Sequence, residues 1–332
     1  MSRQELEELK SKLQKRNFYT VNDSSWVFFW CLIVPFVIGL VFMYVSMSFT
    51  GVKDATELFK NHLWFAIIMT MLTEVVFFVV YLFYSKTYRI KLTSCGLSFK
   101  NANPKMAFLS IGLGILAFFG FVGLIEGVFG NFFSWIGVKS SGLHLPNDTI
   151  GWLFVNILLV GFLPAICEEI IFRGMIFKGL RRTFSPLVAC AITALLFALM
   201  HQNIIQFVYP LVLGFALCLV MEKTNNLLYT MLIHLFNNIT TIVVDFLIRK
   251  GILNWSFAGM PWWAYIISIM VAAVVVLIFV LIYKFVISKE KKVEIEEEGE
   301  EIPSYSKKIG GLPLIFYFSA AIAIAIIVVN LF

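Results

Sequence analysis

The run Pro164-Ala-Ile-Cys-Glu-Glu-Ile-Ile-Phe-Arg173 lies inside an apolar stretch that extends from residue 150 to residue 181. That stretch exceeds the roughly 20 helical residues needed to cross a hydrocarbon core of about 30 Å. Two carboxylates and a guanidinium at its centre would be costly in lipid, and such groups are retained where they face a bundle interior or a wet cavity. The segment therefore reads as a membrane helix with a polar inner face.

Two further polar signatures interrupt apolar runs downstream: Phe197-Ala-Leu-Met-His201 and His234-Leu-Phe-Asn-Asn238. Around them, 60% of the 332 residues are hydrophobic and 14% are charged, against roughly 25% charged in a soluble domain. Nine apolar runs recur, at 25–48, 61–84, 106–129, 150–181, 186–202, 205–222, 227–248, 262–288 and 311–331. The expected fold is all-α, a polytopic membrane helix bundle of about nine transmembrane helices.

Basic loops stay on the cytoplasmic side. With the N-terminus inside, 20 of the 26 Lys and Arg fall on inner segments and five on outer loops, while Arg173 lies within the membrane. The net charge of +6 is thus a topology signal. No aromatic-interleaved basic patch points to nucleic acid. The tail before the first span is long and mixed in charge, unlike a cleaved signal, so residues 25–48 are expected to be a retained anchor. The five cysteines form no C-x-x-C pair and read as small apolar fillers rather than a disulfide or thiolate framework.

The expected organisation is a cytosolic tail (1–24), N-terminal transmembrane helices and loops (25–149), a catalytic core of four transmembrane helices (150–246), an additional transmembrane helix (247–288), a charged cytosolic linker (289–310) and a C-terminal transmembrane helix (311–332). The segment 130–149, rich in Gly and Ser, reads as an outer loop or re-entrant piece.

On a helix of 3.6 residues per turn, Glu168 and Glu169 point about 100° apart and cannot share one task. Arg173 stands four residues after Glu169, the order and spacing that favour a carboxylate–guanidinium pair. That pairing makes Glu169 structural and leaves Glu168 turned toward a cavity, available as a general base toward water. Phe197 and His201 share a helix face, as do His234 and Asn238, whereas Asn237 is expected to point elsewhere. Counting 1.5 Å per residue from the nearest inner charges or turn puts Glu168 at about 21 Å, His201 at about 24 Å, His234 at about 16 Å and Asn238 at about 22 Å. The four converge on one layer.

Two chemistries use such a set. In one, Glu168 activates water against an amide carbonyl while imidazole and carboxamide groups stabilise the oxyanion, and no cofactor is required. In the other, Glu168, His201 and His234 hold zinc, which lowers the pKa of its bound water. Asn is a poor zinc ligand and the H-E-x-x-H pair is absent, so the metal-free route ranks first. Each group also has a plainer use: a lone membrane His or Asn commonly joins helices by hydrogen bonds, and Phe197 and Arg173 read as structural. Glu74 and Glu126, two more acids in apolar runs, read as structural. Three spaced signatures at one depth outweigh those plainer readings.

The motifs E-E-x-x-x-R (Glu168, Glu169, Arg173), F-x-x-x-H (Phe197, His201) and H-x-x-x-N (His234, Asn238) resemble the CAAX-prenyl-protease and bacteriocin-processing family of intramembrane endopeptidases, without departure across about residues 150–246. The resemblance implies a helical membrane fold, hydrolysis of a peptide bond in or near the bilayer, Glu168 as the base, His201 as a polarising or positioning group, and His234 with Asn238 as oxyanion donors. It leaves metal dependence open. It implies a hydrophobic or lipid-associated peptide as substrate, of unstated oligomeric context. Eukaryotic members remove the last three residues of prenylated proteins, whereas bacterial members serve bacteriocin maturation, self-immunity or peptide signalling. The Phe-, Ile- and Lys-rich composition fits a bacterial cell membrane. Competing readings are a non-catalytic immunity or binding protein and a proton-coupled transporter, since Glu and His chains also relay protons.

Overall fold

The computed structural model describes residues 18–88, 90–100, 102–122, 132–133, 135–138, 145–254, 262–289 and 312–329. Every regular element among them is helical. In chain order these are α1 (Val21–Thr50), α2 (Ala55–Asn61), α3 (Leu63–Tyr88), α4 (Pro104–Ala117, widening into a π-turn over Phe118–Val122), α5 (Ile150–Arg181), α6 (Pro186–Met200), α7 (Val208–Thr224), α8 (Leu227–Arg249), α9 (Trp262–Phe285) and α10 (Leu314–Val329). All but the short α2 fall on the nine apolar runs.

Five segments are long and apolar enough to cross a bilayer: Val21–Thr50, Leu63–Tyr88, Ile150–Arg181, Leu227–Arg249 and Ile269–Lys289. Pro104–Gly120, Pro186–Met200 and Leu314–Val329 are shorter apolar helices. The protein is an all-α membrane helix bundle. Glu126, most of the tail, all of the 289–310 linker after Lys289 and much of 130–149 lie outside the described residues.

Local chemistry sets the helix ends. Thr20 and Asp23 form a reciprocal cap on α1, with Thr20 N donating to Asp23 Oδ2 at 2.7 Å and Asp23 N to Thr20 Oγ1 at 3.3 Å, so the helix starts four residues earlier than the apolar pattern predicts. Its first turn is also tied to the end of α5, where Ser24 Oγ donates to the Ile176 carbonyl at 3.0 Å. Asn225 ends α7 in the left-handed region at φ 50°, and Asn226 caps α8 by accepting from Leu228 N at 3.1 Å. Two residues thus reverse the chain and make α7 and α8 antiparallel neighbours.

The tightest pairings are α6 with α7 and α4 with α8. Helix α4 reaches α8 through Gly114, where a Cβ would collide with the Ile233 carbonyl oxygen. Helices α1 and α3 lean on α5 from the other side, and α10 packs on α1. All five cysteines are free and buried, and among them burial pushes the thiol of Cys95, in the loop before α4, up to about 11. That is the behaviour of a filler rather than a nucleophile.

Candidate active site

Helix α5 is not uniformly α. Its turns widen to π over Ile157–Phe162 and Ile170–Phe177, on either side of an α segment, Leu163–Glu169, that carries both acids. Pro164 stands at the start of that segment. Lacking an N–H, it cannot donate back to the Val160 carbonyl one turn earlier. Wide turns of this kind recur at functional positions, and nothing in the apolar composition around the acids announces them.

The two glutamates separate as their spacing predicts. Glu169 is fully buried and its Oε1 accepts from Arg173 Nη1 at 2.8 Å and from His234 Nδ1 at 3.0 Å. Arg173, also fully buried, donates through Nη2 to the Gly214 carbonyl at 3.3 Å, and its guanidinium lies 4.5 Å above the Phe197 ring. Phe197 meets His201 edge-on at 5.0 Å and His234 at 5.9 Å between ring centroids. The ring therefore separates the ion pair from the cavity and braces both imidazoles. Phe197→Leu is expected to lower stability by about 2 kcal/mol, chiefly through the lost ring face under the buried guanidinium, and to depress turnover several-fold, because Leu cannot hold two rings edge-on; thermal unfolding and turnover on the same preparation check both parts.

Glu168 faces the other way, into a cavity of about 270 Å³ that is also lined by His201, His234 and Asn238. The four residues expected to meet do meet, contributed by α5, the end of α6 and α8. His234 stands between the two acids, Nδ1 on Glu169 and Nε2 3.7 Å from Glu168 Oε2. That separation is too long for a hydrogen bond, but one water can sit within reach of both atoms. The His201 ring bonds through Nδ1 to the Phe197 carbonyl at 2.8 Å. A carbonyl only accepts, so Nδ1 carries the proton and Nε2 is turned away from that contact. As neutral rings with their Nδ1 protons so engaged, both histidines present a lone pair at Nε2; each becomes an N–H donor there only as the imidazolium.

Asn237 departs from expectation. It is buried, lines the same cavity, and donates from Nδ2 to Asn238 Oδ1 at 3.2 Å. Residue i+3 lies only about 60° from residue i around a helix, so His234, Asn237 and Asn238 form one stripe. Thr241 and Ile242 extend that stripe along the cavity, which Gln206 and Tyr209 also line. The i+3 spacing was the available signal for Asn237; Gln206 and Tyr209 had none.

Two imidazoles with Nδ1 anchored and one carboxylate are chemically a zinc donor set. Among the described residues, however, no three His, Cys, Asp or Glu side chains converge as a metal-binding group. Outside this shell, Glu74 on α3 is buried, with Oε2 lacking a partner, and lies close enough to Glu168 for their charges to interact.

Residues 150–240 match the family described as type II CAAX prenyl endopeptidase, Rce1-like. The match spans α5, α6, α7 and most of α8, and contains all three motifs. No curated protein and no solved structure matches the chain.

Proposed function

On the premise that residues 150–240 are an Rce1-like CAAX-type protease domain, we propose that this membrane protein is an endopeptidase that hydrolyses a hydrophobic or lipid-associated peptide with a glutamate-activated water. The observation that carries the reading is the meeting of Glu168, His201, His234 and Asn238 around one cavity.

In the proposed reaction, a water held between Glu168 Oε2 and His234 Nε2 gives a proton to Glu168 as its oxygen attacks the scissile carbonyl. The C=O π bond opens, and negative charge collects on the carbonyl oxygen. One N–H of the Asn238 amide donates to the Val160 carbonyl at 3.3 Å; the second is available to that oxyanion. The proton on Glu168 then passes to the departing amine as the C–N bond breaks, which leaves the acid ionised for the next turnover. His201, held through Nδ1 by the Phe197 carbonyl, offers its Nε2 lone pair to position the water or a substrate N–H. Glu169 and Arg173 take no proton in this scheme and hold His234 in place. The excess of basic residues on alternate loops supports a cytoplasmic N-terminus, and the composition supports a bacterial cell membrane.

Reconstitution in proteoliposomes with a library of hydrophobic peptides tests the reading. New fragments, read by mass spectrometry and lost in Glu168→Gln, are expected. Proton or solute flux without fragments would favour a transporter. Peptide binding equal in the two proteins, without cleavage, would favour an immunity or binding protein.

A further inference from the structure

We infer that Asn237 is a positioning residue for Asn238, fixing which end of that amide meets the cavity; the inference rests on the peptidase reading above. A hydrogen-bond chain runs from Asn237 Nδ2 to Asn238 Oδ1 at 3.2 Å and from Asn238 Nδ2 to the Val160 carbonyl at 3.3 Å. Its polarity can be read from one end. The Val160 oxygen can only accept, so the Asn238 atom facing it must be the NH₂ group. Asn238 Oδ1 is then turned toward Asn237, which must answer with its own NH₂. What remains is Asn237 Oδ1, and it is buried with no hydrogen-bond partner.

That orphaned oxygen is informative. A buried acceptor without a partner is unfavourable, and a core selected for stability alone would replace it with an apolar side chain of the same shape. The arrangement makes sense if the NH₂ at the other end of the Asn237 amide is needed. Without it, Asn238 is held by the Val160 carbonyl alone and can rotate, presenting its oxygen to the cavity where a developing oxyanion requires a donor. Pro164 suits the device: it has no N–H to offer the Val160 carbonyl one turn back, which is the oxygen that Asn238 engages where it crosses α5. Asn237 need not touch substrate; it acts through its neighbour.

The test uses full-length protein in proteoliposomes and, as probe, a fluorogenic peptide built on the first library sequence that the unaltered protein cleaves. Asn237→Leu removes the orphan oxygen at nearly constant shape, so its thermal midpoint is expected to be unchanged or raised. Its kcat should fall roughly tenfold, less than the ~10²–10³-fold for outright loss of an oxyanion donor, with KM unchanged. The double variant with Asn238→Ala should be no worse than Asn238→Ala alone, because a positioning residue has nothing left to position. Asn237→Ala, tolerated on a helix, repeats the measurement should the leucine variant fail to fold. Full activity in either folded variant, or additive losses in the double variant, would overturn the inference while leaving the peptidase reading intact. No cleavage of any library peptide by the unaltered protein would remove both.

Discussion

Glu168→Gln is expected to abolish hydrolysis while leaving the protein folded. The amide matches the acid in shape but cannot take a proton from water, and general-base assistance alone contributes roughly 10²–10⁴-fold to a rate. Because the same group returns that proton to the leaving amine in the proposed reaction, the loss should reach the upper part of that range. Stability should hold for a separate reason. The Glu168 side chain makes no hydrogen bond, its 3.7 Å approach to His234 being too long for one, and Glu74 is near enough for like charges to repel. An uncharged amide at 168 gives up little and relieves that repulsion. Turnover on the fluorogenic peptide and the thermal midpoint in the same detergent decide the matter. An active Glu168→Gln protein would transfer the base to another group, with Glu169 the first candidate.

Arg173→Ala is expected to fail in the opposite sense, by unfolding first. Its guanidinium is wholly buried and is spent on Glu169, on the Gly214 carbonyl and on the face of Phe197. Removing one member of a buried ion pair leaves the other charge without compensation, a loss of about 3–5 kcal/mol. Glu169 would lean on His234 without its guanidinium, and that ring would then be drawn out of register with Glu168. Arg173→Lys should recover part of the stability at most, since a single ammonium cannot reproduce a planar fork that meets Glu169 and Gly214 at once. Chemical denaturation monitored by fluorescence measures the deficit. An Arg173→Ala protein as stable as the unaltered one and as inactive as Glu168→Gln would show that the guanidinium acts on the reaction itself.

The Glu169–Arg173 pair was legible because a four-residue offset is a statement about one helix and needs no tertiary knowledge. The meeting of Glu168, His201, His234 and Asn238 was legible because hydrocarbon penalises stray polar groups and a common depth constrains them further. Asn237 is hidden by the four-residue rule: an i, i+4 spacing marks only part of a helix face, whereas the cavity spans enough of α8 to include residue i+3. Glu74 could not be tied to Glu168 from the sequence, since their proximity arises from how α3 packs on α5. The wide turns of α5 left no trace, because a π-turn among Ile, Leu, Val and Phe has the composition of any membrane helix. The Val160 carbonyl is backbone, so its use by Asn238 leaves no mark in the side-chain pattern.

The two wide turns in α5 alter what a missing or added residue means there. In an even helix, deleting one residue from the apolar flank would shorten the rod and swing everything beyond it by about 100°. Here each loosened coil holds a surplus residue that a deletion could absorb by tightening to ordinary pitch, so the segments on either side, Glu168 and Glu169 included, would keep their partners. A single gap in Ile157–Phe162 or Ile170–Phe177 of a related chain is therefore compatible with an unchanged aim of the acids, whereas the same gap inside Leu163–Glu169 would turn them away from His234.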